Sequence, residues 1–173
     1  LRIKFDPIHS PASSRQKMNT PRLIHDFGPS PTYIQISSPH QTSPKDLLCL
    51  IVDDNPFNLM VASNVMQEQG FKIITALSGQ DALQKVVEQQ QKQSQFSLIL
   101  MDCQMPVMNG YEATRQLRRM MKNGEINETP IVALTANNCD DEHHKLCREA
   151  GMETVLEKPL KKVELNEIIK EFL

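Results

Sequence analysis

The chain has 173 residues, with 19 basic and 21 acidic side chains and a formal net charge of −2. That balance gives no electrostatic reason to expect nucleic acid or an anionic membrane as partner. No apolar run approaches the roughly 20 residues of a membrane helix, and residues 1–7 lack the apolar stretch of a signal peptide. The length suits one ordinary domain plus an extra segment, and a chain that starts with Leu rather than Met is expected to be part of a longer protein.

Residues 1–44 differ in kind from the rest. They hold 7 of the 11 prolines, interspersed serines, five basic and two acidic residues, and no sustained apolar period. Such a segment cannot bury enough apolar surface to offset its ordering entropy. It reads as a Pro/Ser-rich, disordered linker or tail, and residues 45–173, with 14 basic and 19 acidic side chains, read as the domain. The four cysteines (Cys49, Cys103, Cys139 and Cys147) form no C-x-x-C pair. A disulfide or zinc framework is not expected; Cys49 and Cys103 read as small core residues, and a reducing, cytoplasmic setting is the default.

From residue 45 the elements follow in order. Residues 47–52 form an apolar run closing on Asp53-Asp54, the first strand. Asn55 suits a helix N-cap and Pro56 the first helical turn, in a helix that stops at Gly70. Residues 71–77 are a β-branched second strand. Ser78-Gly79 opens a second helix with Ala82, Leu83, Val86 and Val87 on its apolar side. Its glutamine-rich end, residues 89–95, is expected to extend the helix or fray. Residues 96–102 make a third strand, an unbroken apolar run ending in Asp102. Residues 111–121 are a third helix whose Arg115, Arg118 and Arg119 read as a solvated face. The fourth strand covers 130–135, the fourth helix 140–150 with a thin apolar face, the fifth strand 154–157 and the last helix 163–173. Uninterrupted apolar strands alternating with helices predict a doubly wound parallel sheet covered on both faces.

In such a sheet the strand carboxyl ends share one edge, where open α/β folds bind ligands. Four strands here end in polar groups: Asp53-Asp54, Asp102, Thr135 and Lys158. The second strand, ending near Ser78, adds nothing clear. Three carboxylates at one edge raise one another's pKa unless a cation joins them, and carboxylate, carbonyl and water oxygens are the ligands of Mg²⁺. Lys158 adds a fixed positive charge and Thr135 a hydroxyl donor. These parts suit phosphoryl transfer, with Asp102 as the central nucleophile. His143-His144 is not read as a metal pair, since adjacent helix residues point in different directions.

The segments Ile51-Val52-Asp53-Asp54-Asn55, Leu100-Met101-Asp102-Cys103-Gln104-Met105-Pro106-Val107-Met108-Asn109-Gly110, Ala133-Leu134-Thr135-Ala136-Asn137 and Lys158-Pro159 resemble the receiver domain of two-component response regulators, in order and spacing, over residues 46–173. The wording is most similar to receivers of hybrid histidine kinases. The resemblance implies a flavodoxin-like (βα)5 fold with strand order 2-1-3-4-5. It implies that Asp102 accepts a phosphoryl group from a phosphohistidine on a histidine kinase or histidine phosphotransfer protein. Asp54 then binds Mg²⁺ (or Mn²⁺) directly and Asp53 mainly through water, with the Gln104 backbone carbonyl and Asp102 completing the protein ligands. Lys158 pairs with the phosphoryl group or the free Asp102, Thr135 moves to bond the phosphoryl oxygen, and Lys158-Pro159 is cis. Gln104 and Asn137 are placed to tune phosphoryl lifetime by orienting or hindering water.

One position departs from the pattern. Receivers commonly carry Tyr or Phe three residues before the lysine, as a switch residue; this chain has Val155, so the switch surface around Val155 and Pro159 is expected to report differently. A domain of this kind is expected to be a monomer or weak dimer, without membrane contact in this fragment. A haloacid-dehalogenase-type phosphatase wants an Asp where Gln104 stands. A flavin site wants a hydroxyl- and glycine-rich loop where Asp53-Asp54-Asn55-Pro56 stands. A non-catalytic, receiver-like interaction module is the remaining alternative.

Overall fold

The computed structural model describes residues 47–136 and 141–173. Five strands, β1 (Leu48–Val52), β2 (Lys72–Ala76), β3 (Leu98–Asp102), β4 (Ile131–Thr135) and β5 (Thr154–Glu157), alternate with helices α1 (Pro56–Glu68), α2 (Gly79–Gln91), α3 (Gly110–Lys122), α4 (Asp141–Ala150) and α5 (Lys162–Phe172). All strand pairs are parallel and the order is 2-1-3-4-5, the flavodoxin-like arrangement expected. The expected tail (1–44) lies outside the described residues, as do Asn137 and Cys139.

Successive side chains of a strand point to opposite faces, and here both faces are covered. Leu50, Val52, Ile99, Met101, Ile131 and Ala133 pack with Ala82 and Val86 of α2, Ala113, Leu117 and Met121 of α3, and Cys147 of α4. Cys49, Ile51, Leu98, Leu100, Val132 and Leu134 pack with Leu59, Ala62 and Met66 of α1 and Leu165 and Ile168 of α5. The strands β3 and β4 are buried at every position, which explains why their sequences show no polar alternation. On the edge strand β2 only Ala76 is fully buried.

The helix starts are fixed locally. Asn55 Oδ1 accepts from the Phe57 amide at 2.9 Å, with Pro56 next to it, as expected. Ser78 Oγ accepts from the Asp81 amide at 3.1 Å. Asn109 and Glu112 form a reciprocal capping box that starts α3 one residue earlier than the apolar pattern indicated. The glutamine run is helical through Gln91 and is capped by Lys92.

Two expectations need correction. Phe71 and Phe96 are not strand residues: both are buried, in the cores on opposite faces of the sheet, but pairing begins only at Lys72 and Leu98. Arg118 does not belong to a solvated face. Its Nε donates to the Gly151 carbonyl at 2.7 Å, Nη1 to the Thr129 carbonyl at 3.1 Å and Nη2 to Glu153 Oε1 at 2.5 Å. The other Glu153 oxygen accepts from the Ile131 amide at 2.7 Å, so α3 is riveted to the starts of β4 and β5.

Candidate functional site

The carboxyl ends of β1, β3, β4 and β5 bring together the residues singled out by their position after apolar runs. Asp53 is 1% exposed and Asp102 6% exposed, while Asp54 faces solvent. One carboxylate oxygen from each of the three lies within 4.8 Å of the others. Lys158 Nζ reaches across from beyond β5 to Asp53 Oδ2 at 2.6 Å and Asp102 Oδ2 at 2.9 Å. Its backbone amide donates to the Thr135 carbonyl at 2.7 Å, and Lys158–Pro159 is cis, as the resemblance implied. Thr135 closes β4 with its hydroxyl donating to the Ala136 carbonyl at 3.3 Å.

Burial raises the Asp102 pKa above the ordinary carboxylate value, and the hydrogen bond and charge of Lys158 offset only part of that; Asp53 adds to the rise. Burial pulls the Lys158 ammonium down, but its hydrogen bonds to Asp53 and Asp102 outweigh this and the net shift is upward. The cluster therefore holds one ammonium against three carboxyl groups, an excess of negative charge that a hard divalent cation would relieve. The donor set is all oxygen, which fits Mg²⁺ and excludes a site built for soft metals.

The loop after Asp102 is tightly constrained. The Gln104 amide donates to Asp102 Oδ1 at 3.3 Å, leaving the Gln104 side chain exposed. The Gly110 amide bonds the Cys103 carbonyl at 3.1 Å, and a Cβ at Gly110 would lie 2.0 Å from the Asp102 carbonyl oxygen, so only glycine fits. Val107 sits at φ 68° and is 98% exposed, an unfavourable conformation for a β-branched residue.

The sequence reading missed Asn58 and Phe57. Asn58 Nδ2 donates to Asp53 Oδ1 at 3.1 Å, beside the Asn55 amide at 2.9 Å, and together they fix that carboxylate. Asn58 lies one turn into α1, and only the way that helix sits on the sheet turns it toward the strand end. Phe57, Val61, Pro159 and Leu160 line a cleft of about 280 Å³ that opens beside Asp53 and Lys158. Phe57 is 64% exposed there. Val155 is half-buried on β5 and packs against the core on the α4 side.

A buried strand-end aspartate joined by a lysine and an acidic pair, on this topology, matches one family over most of the described chain: residues 49–170 fit the response regulator receiver domain. The chain belongs to that family. Hybrid signal transduction histidine kinase L of Dictyostelium discoideum is 37% identical over 123 residues, 71% of this chain and 7% of that protein. The receiver thus corresponds to a small part of its relative's length. Among solved structures, the receiver domain of the histidine kinase CKI1 from Arabidopsis thaliana, complexed with Mg²⁺, superposes with a TM-score of 0.66 at 34% identity, covering 75% of this chain and 96% of that one. The Saccharomyces cerevisiae complex of the histidine phosphotransfer protein Ypd1 with the receiver domain of Ssk1 matches with a TM-score of 0.63 at 28% identity, covering 74% and 89%. Among the described residues no helix is long and apolar enough to cross a membrane.

Proposed function

We propose that this receiver is the phosphoacceptor of a His-Asp phosphorelay, and that Asp102 takes a phosphoryl group from a phosphohistidine on a histidine kinase or histidine phosphotransfer protein. The observation that carries this reading is the buried Asp102 carboxylate held 2.9 Å from Lys158 in an acidic cluster that opens to solvent. An Asp102 oxygen attacks phosphorus as the P–N bond breaks. The bond electrons return to the imidazole, which takes up a proton as it leaves. Lys158, already paired with Asp102, moves its charge to the phosphoryl oxygens, and Asp53 keeps the ammonium in place. The Thr135 hydroxyl, one strand away, turns to the phosphoryl group, and Gln104 and Asn137 control the approach of water.

A bound Mg²⁺ neutralises charge on the phosphoryl oxygens; Asp53, Asp54, Asp102 and the Gln104 backbone carbonyl would hold it, and Mn²⁺ suits the same oxygen donors. The apolar cleft lined by Phe57, Val61, Pro159 and Leu160 gives the donor protein a surface beside the acceptor. Residues 1–44 serve as a tether and residues 45–173 as the receiver of a larger cytoplasmic hybrid histidine kinase. Val155 leaves the output face without the usual aromatic switch, so signalling from it rests on the Thr135 half alone.

Acetyl phosphate with Mg²⁺ is expected to give the wild-type chain an acid-stable, hydroxylamine-labile phosphate, and beryllofluoride with Mg²⁺ to bind as its mimic. Asp102→Asn abolishes both. A wild-type protein that shows neither returns the receiver to the role of an interaction module.

A further inference from the structure

Cys103 directly follows Asp102, and Cys147 lies on α4, 44 residues away in sequence. Their sulfurs are 3.8 Å apart, in contact, inside the α3–α4 side of the core, where Cys103 is 1% and Cys147 2% exposed. Both are free thiols. The Tyr111 hydroxyl is buried beside them and interacts with both sulfurs. Packing alone asks only for two small apolar groups here. It does not ask for two sulfurs facing each other with a hydroxyl alongside.

The geometry points to a redox modification site: Cys103 and Cys147 form a reversible disulfide under peroxide, pinning α4 to the phosphoacceptor end of β3. The helix is suited to admit the oxidant. Cys147 and Ala150, both small, are the only fully buried residues of α4, whereas α3 buries Leu117 and Met121 among others. A helix held by so little apolar surface opens locally at lower cost than the rest of the sheet cover. Cys147 is the thiol that this opening presents. Hydrogen bonding from Cys103 and Tyr111 and the charge of His143 lower its pKa against burial, while the same pairing raises the Cys103 thiol, so Cys147 is the sulfur that more readily becomes a thiolate.

The Cys147 sulfur attacks one peroxide oxygen; the O–O bond breaks, and hydroxide leaves as water after taking a proton. The Cys103 sulfur, giving up its proton, then attacks the resulting sulfenic sulfur; the S–O bond breaks, the S–S bond forms and a second water leaves. Two thiols thus lose two electrons and two protons to one hydrogen peroxide. For the bond to close, the sulfurs must move from 3.8 Å to about 2.05 Å, which draws α4 inward. Since Thr135 and α4 bracket one connection, the crosslink ties redox state to the position of the element next to the acceptor. The effect on signalling, though not the disulfide itself, rests on the phosphoacceptor reading.

The full 173-residue chain, treated with hydrogen peroxide, is expected to lose two hydrogens by intact mass, and on denaturing alkylation to take up two alkyl groups where the reduced chain, with its four cysteines, takes up four. Peptide mapping without reductant should join Cys103 to Cys147, and dithiothreitol should reverse the link. Amides of α4 should exchange at least tenfold more slowly in the oxidised protein. Cys147→Ala should remove the link and Cys139→Ala should leave it, both variants retaining beryllofluoride binding when reduced. Sulfinic acid without a link, a bridge to Cys139 or Cys49, or unchanged exchange in α4 would each overturn the proposal. Mapping on the wild type needs no variant to fold. A correct Cys103–Cys147 link in a protein that fails to bind beryllofluoride would sink the phosphoacceptor reading while leaving the redox site standing.

Discussion

The two edges of the sheet hold the same kinds of charged group and use them in opposite ways. At the amino ends of β4 and β5, Arg118 spends its guanidinium on Gly151, Thr129 and Glu153, and Glu153 on the Ile131 amide. Among the described residues, donors and acceptors match there, and the guanidinium is taken up by the protein itself. At the carboxyl edge, Lys158 is outnumbered by Asp53, Asp54 and Asp102, two carboxylates are nearly fully buried, and Asp102 is held above its ordinary pKa by burial. The first edge is a rivet. The second keeps an unspent charge that only an added cation or phosphoryl group completes, and that difference separates a structural ion pair from a chemical one.

Exchanging the two roles by mutation is the sharpest way to break this contrast. Asp102→Asn is expected to reduce beryllofluoride binding and phosphorylation to background while the protein still unfolds cooperatively, at or above the wild-type denaturant midpoint, because a buried charge has been removed. Arg118→Ala should do the reverse. It strands Glu153 and two backbone carbonyls, costing roughly 2–3 kcal/mol by denaturant titration, while beryllofluoride affinity stays within about twofold. Equal damage to both properties in either variant would erase the distinction between the edges.

What the sequence revealed follows the same division. The acceptor edge was legible because each central strand is an apolar run that stops on a charge, and a parallel sheet puts those stops side by side: Asp53, Asp102, Thr135 and Lys158 were all found that way. Asn58 escaped because its contact with Asp53 depends on how α1 is rotated on the sheet. Arg118 escaped because a helix with three arginines reads as a wet face until the β4 and β5 starts are seen beneath it. Strand ends at Phe71 and Phe96 were overrun because burial outlasts pairing there. The Cys103–Cys147 contact joins two segments whose packing no local pattern encodes, and the fate of Asn137 lies outside the described residues.

A pH series in EDTA sharpens the comparison further. Burial raises the folded-state pKa of Asp102 above 3.8, so the folded state favours its protonated form. That stabilising contribution is fully present below 3.8 and is lost as pH rises through the folded value. Lys158, raised above 10.5, keeps its own contribution throughout this range and loses it only in strong alkali. The stability advantage of Asp102→Asn over wild type should therefore grow from acid toward neutral pH, by less than the Arg118→Ala loss. Urea midpoints of the two proteins that run parallel with pH would show that burial does not strain Asp102.

The smallest effect tests whether the acceptor loop stores strain as well as charge. Val107 adopts φ 68° with its side chain almost wholly in solvent, so it makes no contact that offsets the conformation. A left-handed backbone costs a residue with a Cβ about 1–2 kcal/mol, and a β-branched residue adopts it least readily. Val107→Gly removes that cost but gives the unfolded chain extra freedom, about 0.5–1 kcal/mol in the opposite direction. The net expectation is a gain of roughly 0.5–1 kcal/mol, read as a higher urea midpoint at unchanged slope. If the loop holds Asp102 in place through this strain, beryllofluoride affinity should fall as stability rises. If affinity is unchanged while stability rises, the strain belongs to Val107 alone, and charge by itself sets the acceptor edge apart from the Arg118 edge.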